Sequence, residues 1–167
     1  ISCSFNDPFF TDLKNISFDV NVGEIFGIAG VAGNGQSELM DILVGENTLI
    51  DSGELIFNNK NIEYLGPQKR RDLSIAFVPE NRLGHSAVPE LTLSENILLS
   101  QFPNNKFSKN GILNRNSIED YAIKVIDNFN VVTPGSDAKA SSLSGGNLQK
   151  FVIGREISSK PKLLIIS

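Results

Sequence analysis

At 167 residues, 40% of them hydrophobic, the chain has enough apolar content for one packed domain or a large part of one. Its 15 Lys and Arg against 19 Asp and Glu leave a net charge of −4, which excludes a general attraction to nucleic acid or anionic membranes and requires any polyanion to be met by a local feature. The single cysteine, Cys3, excludes an internal disulfide and has no cluster of metal ligands around it, and no apolar run approaches the roughly 20 residues of a membrane-spanning helix.

Ile1–Phe5 and Ile16–Val20 alternate apolar and polar residues, with Asn6, Asp7 and Pro8 as turn residues between them, which predicts a small antiparallel sheet. Val22-Gly23-Glu24 makes a second turn into the apolar run Ile25–Ala29, read as a buried strand. The glycine-rich stretch Gly30-Val31-Ala32-Gly33-Asn34-Gly35-Gln36-Ser37 follows. A helix from Ser37 or Glu38 to Val44 then places Leu39, Met40, Ile42, Leu43 and Val44 largely on one side and ends at Gly45, a C-terminal cap.

A glycine-rich loop between a strand and a helix turns several backbone N–H groups toward one point, because glycine accepts positive φ and close approach. That point suits a phosphate, and the start of the helix adds its partial positive charge. Ser37 lies where a P-loop offers a ligand to Mg²⁺, whereas the lysine position holds Gln36, a hydrogen-bond donor without charge. The alternative is a strand-to-helix turn with no ligand. A dinucleotide fingerprint fits less well, because Gly27, Gly30, Gly33 and Gly35 do not give GxGxxG and no acidic residue ends a second strand at the usual distance.

Further along, a hairpin is predicted from Glu54–Phe57 through Asn58-Asn59-Lys60-Asn61 to Ile62, and Pro67–Asp72 reads as one exposed helical turn whose Lys69, Arg70 and Arg71 form a solvated face. Ser74–Val78 is a second buried strand, running into Pro79-Glu80-Asn81-Arg82. LTLSENILLSQF reads as a helix with Thr92 or Ser94 as N-cap, 103–116 as a surface loop, and Ile118–Phe129 as an amphipathic helix. After a second loop, Val131–Ser142, the stretch LSGGNLQK (Leu143–Lys150) opens a helix continuing as FVIGREI, and PKLLIIS reads as a buried parallel strand. Because ISCSF is strand-like from its first residue, without a methionine, and PKLLIIS stops inside an apolar run, the chain reads as a fragment.

Ser144-Gly145-Gly146 ahead of a helix is another anion-binding design, with two free backbone N–H groups, a helix field and a hydroxyl donor; alone, it equally describes a glycine-rich cap. The order of parts is more specific. A P-loop, a strand ending in VPE, a helical region, LSGGNLQK, a helix and a PKLLII strand together resemble the nucleotide-binding domain of ABC transporters over nearly the whole chain. GIAGVAGNGQSEL, FVPENRLGHSAVPELTLSENILL and LSGGNLQK resemble the second such domain of the tandem ATPase subunits that serve sugar and nucleoside importers, with Leu148 departing from the usual LSGGNQQK.

The resemblance implies an α/β P-loop NTPase (RecA-like) core with an N-terminal antiparallel β subdomain and an inserted α-helical subdomain: residues 1–83 for the β subdomain and P-loop core, 84–158 for the helical subdomain, and 159–167 for a cut Walker B strand. ATP and Mg²⁺ are the implied ligands. Gly30, Val31, Ala32, Gly33, Asn34, Gly35, Gln36, Ser37 and Glu38 stand as the nucleotide loop, Phe9 as the adenine-stacking aromatic with Phe5 and Phe10 close behind, and Ser37 as the Mg²⁺ ligand. Glu80 stands at the Q-loop position, Leu143, Ser144, Gly145, Gly146 and Asn147 as the signature, and Ser167 where Walker B has its aspartate. His85, the one histidine, precedes the signature and therefore cannot be the family's switch histidine.

Losing the charges of a lysine at 36 and an aspartate at 167 implies that the domain's own site is degenerate and that the isolated chain is inactive, while the signature completes the ATP site of the subunit's first nucleotide-binding domain. The implied partners are that first domain, transmembrane permease subunits and, indirectly, a substrate-binding receptor, with no nucleic acid. The implied location is the cytoplasmic face of the cell membrane. A soluble ABC-type ATPase or a non-hydrolysing regulatory module is the competing reading, and a P-loop kinase or GTPase leaves LSGGNLQK unexplained.

Overall fold

The computed structural model describes residues 1–5, 7–80, 84, 86–101, 107–109 and 111–167. Expectations for Asn6, Asn81, Arg82 and His85 lie outside them. The chain divides into two compact units, Ile1–Arg70 and Arg71–Ser167.

In the first unit, Ile1–Cys3 is the N-terminal edge. Cys3 exchanges both backbone hydrogen bonds with Leu13 at 2.9 Å, and Ser2 bridges antiparallel to Ser52. Helix α1 (Gln36–Val44) packs Leu39 and Ile42 against Cys3 and Leu13, with Ile1, Phe5, Ile16 and Ile50 around them. Gly45 ends α1 in the left-handed region, φ 90°, where its N–H reaches Asp41 O at 2.9 Å. The hairpin is β1 (Ile56–Phe57) and β2 (Lys60–Asn61), turned by Asn58 and Asn59 at φ 49° and 62°, the geometry that favours asparagine in a two-residue loop.

Two expectations in this unit are corrected. Ile25–Ala29 forms no hydrogen-bonded strand and is not buried: Ile25 is 99% and Ile28 51% exposed. A strand is buried by neighbours on its edges and cover on its faces, and within the first unit the only ladder among the described residues joins β1 to β2. Ile16–Val20 likewise forms no strand; instead Phe18 and Phe26 stack on each other at 4.9 Å across the turn that Glu24 N closes on Asn21 O.

The short helix α2 (Pro67–Asp72) is where charge patterning misleads. Arg70 is fully buried, not solvated. Its guanidinium donates to the carbonyls of Leu65 (2.7 Å), Leu43 (2.8 Å), Ile62 (3.0 Å) and Glu63 (3.1 Å), and also to that of Ile42. Burial lowers its pKa, while the negative end of the α1 dipole and a full set of acceptors favour the charge. Arg71 is in the second unit, ion-paired to Glu156 at 2.7 Å and stacked over Phe77, 3.8 Å from the ring centroid.

In the second unit, β3 (Ile75–Val78) is buried along its length and pairs in parallel with β6 (Leu163–Ile166), Ile75 opposite Leu163 and Val78 opposite Ile166. Between them come α3 (Leu93–Gln101), the small hairpin β4 (Ser108–Lys109) and β5 (Ile112–Leu113), α4 (Arg115–Asn128) and α5 (Gly145–Ser158). In the stretch 103–116 expected to be a loop, the described residues thus form a hairpin, closed by Asn114 N donating to Phe107 O at 2.7 Å, and Arg115 and the residue after it already belong to α4. Asn114 also caps α4, its side chain accepting from Ser117 N at 3.1 Å.

Thr92 and Glu95 form a capping box on α3: Thr92 N donates to Glu95 Oε2 at 2.9 Å and Glu95 N to Thr92 Oγ1 at 3.1 Å. Leu93, Ile97, Ile118, Ala122, Val125, Leu148, Phe151 and Val152 interlock the three helices. At Gly154 a Cβ would stand 2.6 Å from the Phe129 ring and 3.1 Å from Val125, so only glycine admits this approach of α4 to α5.

Two measurements check these packing arguments. Arg70→Met should cost about 3 kcal/mol or more in urea unfolding, because it strands buried carbonyls while filling similar volume; a loss below about 1 kcal/mol would rule out the anchoring role. The Thr92 backbone N–H, then its hydroxyl, hold the Glu95 carboxyl below its ordinary value. Their contribution is present above the unfolded-state pKa and is lost as pH falls through the lower folded-state pKa. Melting temperature should therefore fall less steeply on the acid side in Glu95→Gln than in the native chain.

Candidate functional site

The glycine loop and the start of α1 belong to the first unit. Gly33 and Gly35 take φ 86° and 96°, and Gly35 is the N-cap. A Cβ on Gly35 would meet Leu13 Cδ2 at 2.8 Å, so both its dihedrals and its surroundings require glycine. The first intrahelical bond runs from Leu39 N to Gly35 O at 2.9 Å, which leaves the N–H groups of Gln36, Ser37 and Glu38 ahead of it as an anion-facing helix start. Ser37 is exposed in this first turn.

Gln36 folds back into the loop. Its Nε2 donates to Val31 O at 3.0 Å and its Oε1 accepts from Asn34 N at 3.2 Å, so one neutral amide satisfies both a carbonyl and an N–H. A Cβ built on Gly30 would lie 2.3 Å from that Nε2, so the absence of a side chain at 30 is what admits the glutamine. Glu38 turns away from the loop mouth. It is buried, and its Oε1 accepts from Thr11 N at 2.8 Å while Thr11 Oγ1 donates to Gly33 O at 3.1 Å. Its carboxylate therefore ties the loop to the segment carrying Phe9. Phe9 itself is 92% exposed, whereas Phe5 and Phe10 stack on each other at 5.5 Å, which leaves Phe9 the face available to an aromatic ring.

In the second unit, Glu80 is exposed two residues beyond β3. Leu143 leads into Ser144, the N-cap of α5, and Ser144, Gly145 and Gly146 are all exposed. Asn147 Nδ2 donates to Ser144 Oγ at 3.0 Å and Asn147 Oδ1 accepts from Val132 N at 3.0 Å, fixing the amide from both ends. Leu148 is buried in the helical core. Ser167 donates its N–H to Val78 O at 3.0 Å, continuing the β6 register.

These residues suit a polyphosphate in part. The glycine-shaped loop and the helix start fit the anion; the cation is replaced by an amide, and no group of three metal-ligating side chains occurs among the described residues. What sequence reasoning missed are buried polar side chains: Arg70 in the first unit, and in the second Asn96, Arg155 and Glu156, with the partly buried Arg71 paired to Glu156. Adjacent opposite charges at 155–156, within an otherwise apolar helical face, were the available signal.

Comparison with known proteins fits this geometry. The family model of the ABC transporter matches residues 13–166. The chain is 43% identical over 155 residues to the nucleoside import ATP-binding protein NupA of Lactococcus lactis, and 40% identical over 153 residues to the guanosine import ATP-binding protein NupO of Bacillus subtilis. These matches cover 93% and 92% of this chain and 30% of each relative, so the chain spans 30% of their length. Among solved structures, the ATP-binding cassette MJ0796, in a dimeric post-hydrolysis state bound to ADP and Pi, superposes with a TM-score of 0.79 at 23% identity, over 99% of this chain and 70% of that one. MJ1267, an ATP-binding cassette of an ABC transporter, gives 0.74 at 26% identity over 98% and 64%. With the α/β P-loop architecture and the motif order already described, the match across residues 13–166 means that the chain belongs to the ABC transporter family, as an ATP-binding cassette.

Proposed function

We propose that this chain is the second nucleotide-binding domain of a tandem ATPase subunit energising an importer for nucleosides or sugars. In this reading its signature completes the ATP site of the first domain, while its own loop binds nucleotide without turning it over efficiently. The observation that carries the reading is the contrast between the two motifs. Ser144, Gly145 and Gly146 stand exposed at the start of a 14-residue helix, ready for a phosphate, whereas Gln36 supplies no charge to one. The nucleoside and guanosine import functions of the relatives NupA and NupO support the substrate class.

Within the domain's own site, Gly30–Ser37 would hold the phosphates through backbone N–H groups, Phe9 would stack on adenine, Ser37 would offer its hydroxyl to Mg²⁺, and Glu38 would brace the loop through Thr11. Bound Mg²⁺ would supply charge neutralisation at the phosphates. Residues 1–83, 84–158 and 159–167 would serve as the β subdomain with the P-loop core, the helical subdomain and the Walker B strand. Glu80 and the segment beyond it would face transmembrane permease subunits on the cytoplasmic side of the membrane, with a receptor delivering substrate to them. The loss of charge at 36 and 167 makes the split role more economical than two equal sites.

Two measurements test this reading. In the assembled subunit, Ser144→Arg should lower ATP hydrolysis and transport by about tenfold or more, since the long charged side chain would keep the signature's donors off the bound phosphate; unchanged rates would exclude the signature from the site. Calorimetric titration with Mg-ATP should show binding by the native protein and about tenfold tighter binding by Gln36→Lys, the scale of one charge-assisted hydrogen bond. Equal affinities would show that the charge at 36 is immaterial to the loop.

A further inference from the structure

Glu156 is fully buried near the C-terminal end of α5 and faces two guanidinium groups. Its Oε2 accepts from Arg71 Nη1 at 2.7 Å; its Oε1 accepts from Arg155 Nε at 3.0 Å and lies 2.9 Å from Arg155 Nη2. One carboxylate cannot neutralise both, so the remaining positive charge must be met by dipoles. Phe77 provides a π face to Arg71. Arg155 takes two carbonyls instead: Nη1 donates to Asn96 O at 3.0 Å and Nη2 to Ser86 O at 2.9 Å.

Both carbonyls belong to residues 86–96, the segment that follows the Glu80 position. That segment is stitched internally by Asn96, which is fully buried. Its Nδ2 donates to the carbonyls of Val88 (3.2 Å), Leu91 (3.2 Å) and Thr92 (2.9 Å), and its Oδ1 accepts from Val88 N at 2.8 Å. The segment's other backbone groups pair with the strip just before the signature: Leu93 N with Ala138 O at 2.9 Å, Ala140 N with Leu91 O at 3.0 Å, and Ser141 N with Pro89 O at 3.0 Å. Residues 86–96 are therefore held by the chain entering Leu143 and, through Arg155, by the helix that Ser144 opens.

We propose that Arg155 is a positioning residue for the signature, its planar fork binding residues 86–96 to α5 so that this segment and Ser144–Gly146 move as one body. A guanidinium suits this task because it directs donors to a carboxylate and to two separate carbonyls at fixed angles, which an ammonium on a flexible stem does not. The role rests on the reading that the signature completes a partner domain's ATP site. Displacement of residues 86–96 by a partner is then displacement of the signature as well.

The test is steady-state ATP hydrolysis by the complete assembled protein carrying Arg155→Lys, beside the same protein carrying Arg71→Lys. Arg71 loses a bond to the same carboxylate, but among the described residues its side chain pairs with Glu156 and Phe77 and not with residues 86–96. Arg155→Lys should raise KM for ATP about fivefold, the scale of one lost hydrogen bond, with kcat within about twofold. Arg71→Lys should leave KM unchanged even if it lowers the melting temperature. A merely structural cluster predicts that both variants lower kcat by reducing the folded fraction and leave KM alone; that result, or equal KM shifts in the two variants, overturns the proposal.

Should Arg155→Lys not fold, hydrogen exchange on the native protein decides. Amides of residues 88–94 should open together with those of residues 150–155, and opening of the former alone and far more often overturns the proposal. An inert Ser144→Arg would remove the parent reading and this one with it. An inactivating Ser144→Arg, with Arg155→Lys behaving like Arg71→Lys, removes this one alone.

Discussion

A guanidinium taken out of water must find an acceptor for its N–H groups, and each unit of this chain is laid out around that requirement. In the first, Arg70 has only carbonyls, drawn from the end of α1 and from the loop after β2, so the helix that begins at the glycine loop is fixed at its far end by a charge. In the second, Arg155 and Arg71 share Glu156, and the imbalance sends Arg155 to the backbone of residues 86–96. The apolar cores around these groups could be refilled by other aliphatic side chains; the acceptor geometry could not.

The glycine loop shows the opposite solution. Where a charge would serve a ligand, the chain has a neutral amide that serves the loop itself. Such an amide holds the loop shape without cation repulsion or desolvation, and an incoming phosphate must exchange with it for Asn34 N. Glu38 and Thr11 complete a frame that exists before any ligand arrives. Preorganisation of this kind favours binding by lowering its ordering cost, and in the reading proposed above it would leave the electrostatic demands of phosphoryl transfer unmet.

Elements with local chemical signals were legible in the sequence. α1 with its glycine cap, the Asn58-Asn59 turn, the Thr92 cap and the helices α4 and α5 each follow from a few adjacent residues. So do the two glycine-rich motifs, whose order along the chain specified the family. Elements that depend on distant partners were not legible. Ile25–Ala29 has the composition of a buried strand, but composition does not supply a neighbouring edge. The PQKRRD turn looks solvated because a run of charges usually is; the burial of Arg70 depends on carbonyls up to 28 positions away in the chain, and that of Glu156 on Arg71, 85 positions away. Among the candidate site residues, Glu38 was placed by its nearness to the loop, and its bond to Thr11 N was beyond the reach of spacing alone.

At the signature, Asn147 presents both its backbone N–H and its side-chain Nδ2 to Ser144 Oγ, at 3.5 Å and 3.0 Å. With its lone pairs engaged inward, the hydroxyl has its own proton left to point outward, beside the free N–H groups of the two glycines. What Ser144, Gly145 and Gly146 themselves would offer an anion are therefore dipoles. Their grip does not titrate near neutral pH, is damped only weakly by dissolved ions, and acts over a few ångströms instead of across a Debye length. If Ser144–Gly146 completes a nucleotide site, as proposed, a phosphate would be recognised there by being brought into place, not by being drawn in from solution.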